Sequence, residues 1–386
     1  MKIAIFTDTF LPKIDGIVTF VLSLAKGLAD RGHEIYIIAP KYPGVKELVY
    51  KNIHIIRLPS TNLFIYPEFK LTHLFSLKVF NLLRKKKIDA ILFETPISLG
   101  FQAILVSKLL RKPLIGTFHT FFSHEEYLKH VKLDNNFFQR FFWGYARLFY
   151  NRGEVITIPS NAIKKELLGR GLKEPLIHIS NGIDLDKFDN SEVHKIKKKY
   201  KLTGKTLLFV GRIAHEKNLR YLLECFSEIV KNVPKTKLIL VGDGPQMLEL
   251  KQDVQSLGLK DKVILTGKIH HHELIKSSIF KACDVFITAS KTETQGISTL
   301  EAQANGLVCV GIDEGGVKDL IKSGYNGYLI KDKDKEAYIS AVTRLLTNKS
   351  LYDKMKSNTL TEIKKHDLKI ILSHWEKLIH KLKNKR

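Results

Sequence analysis

The sequence predicts an α/β protein made of two doubly wound, Rossmann-like domains with parallel sheets. Three observations lead there. Short apolar runs alternate with helical patterns along the chain, the series restarts near the middle, and 386 residues suit two domains at ~150 residues each. The first series is KIAIFTD, EIYIIAP, HIIRLP, AILFET, PLIGTFHT and EVITIPS; the second is TLLFVGR, KLILVGDG, KVILTG, VFITAS, LVCVGID and GYLI. Runs this short and this apolar read as strands buried on both faces. The helical stretches between them are the crossovers that parallel neighbours require. The expected domains are residues 1–185 and 186–365, with SNGIDLDKFDN as the hinge. Residues 366–386 read as a basic amphipathic helix that packs back onto the N-terminal domain or lies on a lipid surface.

Composition narrows the class. Hydrophobic residues at 44% and charged residues at 26% are ordinary for a globular chain. Three cysteines, an odd number without close spacing, imply neither a disulfide framework nor a thiolate metal site, and favour a reducing cytoplasm. The N-terminus MKIAIFTDTF meets Asp8 too soon for a signal peptide, and no window reaches the ~18 unbroken apolar residues of a membrane span. The expectation is a protein that is soluble or rests on a membrane without crossing it. The formal charge of +24 is spread over both halves: residues 1–180 carry 26 Lys+Arg against 14 Asp+Glu. A basic surface points to polyanions, namely nucleic acid, an anionic membrane or phosphorylated substrates, or to a lysine-rich proteome.

Ligands of open α/β sheets bind beyond the carboxyl ends of the strands, so with two such domains a cleft between them is the expected site. In FVGRIAHEKNLRYLLECF a strand ends at Gly211, and Arg212 and Lys217 precede a helix beginning near Asn218. Two cations beside a helix N-terminus suit a diphosphate, although a solvated loop reads the same way. Asp15 and Gly16 stand just before a helix, where the glycine serves close approach to a phosphate or a simple turn. Neither GxGxxG nor GxxxxGK[ST] is present, which disfavours a nicotinamide cofactor and a P-loop. In VFITASKTETQGISTLEAQANG, Glu293 lies in the loop after a strand, and Glu301 about two turns into a helix that stops at Gly306. A carboxylate among small apolar residues needs a partner, and vicinal sugar hydroxyls are suitable. A helix-start acid and a surface acid are the plainer alternatives.

Taken in order, G-R-x4-K, G-D-G-P, S-x2-E-x7-E and G-G resemble the retaining GT-B glycosyltransferases of family 4. The resemblance covers nearly the whole chain, including DGIVTF and IGTFHTFF. Within that family, ETQGISTLEA and HTFFSHEEYLKHV are similar to the bacterial diacylglycerol glucosyl- and galactosyltransferases, peripheral membrane enzymes that move a hexose from a UDP-sugar to a lipid. The resemblance implies roles. Arg212 and Lys217 hold the diphosphate and stabilise the leaving group, with no metal and no cofactor. Glu301 takes the ribose hydroxyls, and Glu293 the donor sugar, with Gly296 and Ile297 beside it. Gly16 approaches the diphosphate from the other domain, His119 lies by the donor sugar, and Gly315 and Gly316 admit close backbone contact. His119 and Asp15 are also acceptor-side candidates. The family's histidine in a T-H-T-like motif after the fourth strand is absent. LFETPISLG places Glu94 there, open between binding an acceptor hydroxyl and capping a helix.

Two segments combine apolar and cationic residues. FKLTHLFSLKVFNLLRKKKID holds Lys70, Phe75, Lys78, Phe80, Arg84, Lys85 and Lys86; NNFFQRFFWGYARLFYNR holds Phe141, Phe142 and Trp143. Helices of this kind bind anionic interfaces, or pack their apolar face on a sheet. Aromatics beside arginines also suit single-stranded nucleic acid, but no RNA-binding motif accompanies them, so nucleic acid is not an expected partner. The expected protein is therefore a UDP-hexose:lipid transferase attached peripherally to the inner face of the cell membrane. The competing readings are the same donor site with phosphatidylinositol, a sterol or a polysaccharide primer as acceptor, a basic binding protein that no longer catalyses, and a nucleotide-sugar epimerase.

Overall fold

The computed structural model describes residues 1–386 except 14, 45–46, 63–69, 120–135, 174, 189–190 and 386. The chain divides into two units: Met1–Asn181 together with Leu368–Arg386, and Gly182–Asp367. The HTFFSHEEYLKHV stretch after His119, and Phe69, fall outside the described residues.

In the first unit the chain runs through β1 (Lys2–Phe6), β2 (Glu34–Pro40), β3 (Ile53–Leu58), β4 (Ser60–Asn62), β5 (Lys70–Thr72), β6 (Ala90–Phe93), β7 (Leu114–Thr117), β8 (Val155–Ile158) and β9 (Leu176–His178). Seven of these form one sheet in the order β3-β2-β1-β6-β7-β8-β9, parallel throughout. β1 shows why its residues form a central strand. Ile3 and Ile5 enter one core with the helices Gly16–Asp30 and Leu368–Lys383, while Ala4 and Phe6 enter a second core. That second core is covered by the helices Leu77–Lys86, Ser98–Leu110, Asn136–Tyr150 and Lys164–Gly169. An apolar run with no polar face is what burial on both sides demands.

The Leu368–Lys383 helix is held in the first unit by Trp375, which is fully buried, and by Leu372, which lies so close to Gly27 that a Cβ there would meet it at 2.4 Å. Glu376 accepts from Arg31 Nη1 at 2.6 Å and pairs with His33 Nε2 at 2.8 Å.

The second unit runs through β10 (Thr206–Val210), β11 (Lys237–Val241), β12 (Val263–Gly267), β13 (Val285–Ile287), β14 (Val308–Ile312) and β15 (Gly327–Ile330), in the order β12-β11-β10-β13-β14-β15, again parallel. Leu207 and Phe209 enter one core, Leu208 the other. Both sheets therefore reverse direction beside their first strand, between β1 and β6 and between β10 and β13. Such a switch point leaves a crevice beyond the carboxyl ends of the two strands, because their crossovers leave in opposite directions.

Several surface expectations need correction. Lys70 belongs to β5, which pairs antiparallel with β4, so the amphipathic helix of that segment is only Leu77–Lys86. Phe75 and Phe80 are half-buried and pack against the core. Trp143 is only 5% exposed and sits in the core with Ala146, Phe149 and Tyr150, with the Arg170 guanidinium 5.3 Å from its ring centroid. The reason is helical period: residues three and four apart share a face, and Trp143 is on the inward one. Lys78, Arg84 and Lys85 are exposed on the first helix, where Lys86 is half-buried. On the second helix Phe137 and Phe141 are exposed, at 72% and 59%, and Phe142 is half-buried.

Candidate active site

In the second unit the switch point gathers the predicted donor residues. After β10 the chain turns through Arg212 and a short 3-10 turn, His215–Lys217, before the helix Leu219–Asn232. After β13 a loop carries Glu293 to Gly296, where Ile297 begins the helix Ile297–Ala304. Lys217 Nζ donates to Glu293 Oε1, an ion pair that bridges the two crossovers; the side chains are 18% and 22% exposed. Glycines let these loops nest. A Cβ on Gly316 would stand 2.0 Å from Thr294 O and 2.6 Å from Gln295 Cα. The real Gly316 N–H donates to Glu293 O at 2.6 Å. A Cβ on Gly242, in GDGP, would stand 1.8 Å from Gly211 O. These glycines thus hold loop against loop, a role the sequence reading had not separated from ligand approach.

Glu301 is 4% exposed and one turn into its helix, not two, since it is the fifth residue of Ile297–Ala304 and a turn takes about 3.6. Its Oε1 lies 2.5 Å from His271 Nε2. Burial, the largest influence on His271, pushes its pKa down, but the hydrogen bond and charge of Glu301 together outweigh it and leave the imidazole above its ordinary value. His271 opens the helix His271–Lys276 that follows β12. Sequence reasoning missed it, although three histidines directly after a strand (KIHHHELIK) were a readable signal.

In the first unit the carboxyl ends of β1, β6 and β7 converge. Glu94 follows β6 and His119 follows β7, and Glu94 Oε2 sits 2.7 Å from His119 Nε2. Phe20, on the Gly16–Asp30 helix, meets the His119 ring edge-on with centroids 4.8 Å apart. Glu94 is buried, and its Oε1 has no hydrogen-bond partner among the described residues. Glu94 does not cap the neighbouring helix. That role belongs to Asp8, also missed by the sequence reading. Asp8 Oδ1 accepts from Ser98 Oγ at 2.6 Å and from Leu99 N at 2.9 Å, and Oδ2 accepts from Thr95 Oγ1 at 2.7 Å. Complete burial raises its pKa to about 6, against the pull of those hydrogen bonds. Asp15 caps the first helix: Val18 N donates to Oδ1 and Thr9 Oγ1 to Oδ2, each at 2.9 Å. Each of its oxygens accepts one hydrogen bond from the protein, so Asp15 has a capping role in addition to the acceptor-side role expected of it. Gly16 is the first residue of that helix.

Two parallel Rossmann-like units, one carrying paired cations and carboxylates at its switch point, define a glycosyltransferase of GT-B architecture. Comparison with known proteins agrees. A family model for "Glycosyltransferase Family 4" matches residues 14–187 and one for "Glycosyl transferases group 1" matches residues 190–361. The chain is 31% identical over 313 residues to the alpha-monoglucosyldiacylglycerol synthase of Streptococcus pneumoniae, covering 79% of this chain and 70% of that one. It is 28% identical to the synthase of the same name from Acholeplasma laidlawii, covering 87% and 86%. Other relatives are named as GDP-mannose-dependent alpha-mannosyltransferase, N-acetyl-alpha-D-glucosaminyl L-malate synthase and sulfoquinovosyl transferase. The crystal structure of Anabaena Alr3699/HepE in complex with UDP-glucose superposes with a TM-score of 0.77 at 20% identity, covering 99% of this chain and 100% of that one. At that identity the likeness concerns the fold. The chain belongs to the family 4 glycosyltransferases.

Proposed function

We propose that this glycosyltransferase is a retaining, metal-independent hexosyltransferase that moves glucose or galactose from its UDP ester to a lipid, 1,2-diacylglycerol first, making a monohexosyl glycolipid. The observation that carries the donor side is the Lys217–Glu293 pair at the β10/β13 switch point, with Arg212 in the same loop and Glu301 buried one turn into the next helix. Arg212 and Lys217 supply the positive charge that a departing diphosphate needs, which is the service a divalent metal would otherwise give. Glu301 accepts from the ribose hydroxyls and Glu293 from the donor sugar. Attack is on the front face: the acceptor oxygen bonds to the anomeric carbon as the bond to phosphate breaks, and a phosphate oxygen of the departing UDP takes the acceptor proton. His119, held by Glu94, and Gly16 keep the roles that the family resemblance implies for them.

The acceptor side rests on the outer layer of the first unit. Leu74, Leu77, Phe137 and Phe141 are exposed there near Lys78, Arg84, Lys85 and Arg140. The adjoining Ser98–Leu110 helix, which the sequence reading did not single out, adds exposed Phe101, Lys108 and Leu109. Apolar side chains among cations suit an anionic lipid surface at ~1 kcal/mol per cation. The attachment proposed is peripheral, at the inner face; no helix among the described residues is long and apolar enough to cross a membrane. The variety of the relatives' names supports a second reading, the same donor chemistry with phosphatidylinositol, a sterol or a polysaccharide primer.

The test is product analysis. Purified protein, vesicles of diacylglycerol and phosphatidylglycerol, and labelled UDP-glucose or UDP-galactose are incubated with EDTA. One-sugar glycolipid that Arg212→Ala no longer makes is the expected result. A labelled water-soluble product, or dependence on added metal, would overturn the corresponding part of the proposal.

A further inference from the structure

His271 has no role in the chemistry described so far, yet its Nε2 is hydrogen-bonded to the buried Glu301 carboxylate. The two residues come from different crossovers, one after β12 and one after β13, and meet at 2.5 Å. Glu301 is 4% exposed; a carboxylate so enclosed is costly unless paired, and an unpaired one shifts toward its neutral form. The two candidate donor carboxylates thus each have a side-chain partner before any ligand arrives, Lys217 for Glu293 and His271 for Glu301. The pairings differ in what binding must do to them. A diphosphate competes directly for Lys217. Ribose hydroxyls need not displace His271, because a carboxylate has about four lone-pair positions and a single imidazole N–H occupies one.

We propose that His271 is the positioning residue of Glu301. Its Nε2–H holds Oε1 and fixes the carboxylate's rotamer, so that the second oxygen is presented ready-oriented to the vicinal hydroxyls of the donor's ribose. The inference rests on the reading of Glu301 as the ribose acceptor. Without His271 the carboxylate would have to be ordered by the nucleotide itself, and the ordering cost would appear in binding. The loss belongs to ground state and transition state alike, so donor KM rises and kcat stays.

The experiment compares UDP with 2′,3′-dideoxy-UDP by calorimetry on the full-length wild type and on His271→Ala, His271→Gln and Glu301→Ala. The wild type is expected to bind UDP at least ~10-fold more tightly than the dideoxy compound, a difference of ~1.4 kcal/mol. His271→Ala should lose most of that preference, weakening UDP ~10-fold while leaving the dideoxy compound within ~2-fold. His271→Gln, whose amide N–H can still reach Oε1, should recover most of it and guards against a variant that merely folds poorly. Equal weakening of both nucleotides by His271→Ala, or no weakening, overturns the inference alone, provided Glu301→Ala still erases the preference. If Glu301→Ala leaves the preference intact, or the wild type shows none or does not bind UDP, the ribose reading falls and the inference with it.

Discussion

Replacing Asp8 by Asn isolates the cost of keeping a carboxylate at the carboxyl end of β1. The folded pKa is about 6 against 3.8 for the free side chain. At 1.36 kcal/mol per unit, the ionised form at neutral pH is held at a penalty of ~3 kcal/mol relative to the unfolded chain. The sign follows from proton binding. The folded state binds more protons between the two pKa values, so the Asp8 contribution is fully present below pH 3.8 and is lost as pH rises through about 6. Asparagine has the same shape. Its oxygen can accept from Ser98 Oγ and Leu99 N, and its amide can donate to Thr95 Oγ1 once that hydroxyl turns. Charged acceptors make the stronger hydrogen bonds, so the net gain at pH 7.5 is expected to be ~1–3 kcal/mol. That is several degrees in the melting temperature of the first unit. Thermal unfolding of both proteins from pH 4 to 8 should show the advantage of Asp8→Asn shrinking on acidification and vanishing near pH 4. A variant less stable at pH 7.5, or an advantage independent of pH, would refute the assignment of the penalty to the buried charge.

Three further perturbations probe other parts of the molecule. Gly316→Ala drives a Cβ into Thr294 O and Gln295 Cα, backbone atoms of the loop that carries Glu293; kcat/KM should fall at least ~10-fold, equivalent to ~1.4 kcal/mol. Gly169→Ala, with nothing within 4 Å of its Cβ, serves as the neutral control. Trp375→Ala empties a fully buried site and should cost ~3–5 kcal/mol, seen as early melting of the first unit with the second unchanged; a loss below ~1 kcal/mol would mean that the terminal helix is not anchored by this residue. Glu94→Gln keeps an acceptor for His119 but removes the charge, a change of ~1 kcal/mol in that hydrogen bond. A 10-fold or greater fall in kcat with unchanged donor KM is expected, and unchanged kinetics would make the pair structural.

Much of the fold was legible because its code is local. A strand buried on both faces must be apolar along its length, and a covering helix must be amphipathic, so the alternation in the sequence located the main strands. The exceptions were weak signals: β9 is three residues long, and β4 and β5, also three each, make a short ribbon. Candidate residues were legible where motif and strand end coincide, as for Arg212, Lys217, Glu293 and Glu301. Their pairing was not. Lys217 and Glu293 are 76 residues apart, His271 and Glu301 30, Glu94 and His119 25.

By itself, then, the sequence determined two parallel α/β units, their strand ends and the set of charged residues placed there, since the apolar periodicity that marks a buried strand or a covering helix is local. Only the tertiary structure decided which charge meets which, that Trp143 turns inward while Phe141 stays outside, and that Asp8 rather than Glu94 caps the Ser98–Leu110 helix. Those outcomes depend on the order in which crossovers lay strands side by side. In a parallel sheet, strands distant in the chain become neighbours, and their carboxyl ends bring together side chains that no local pattern relates.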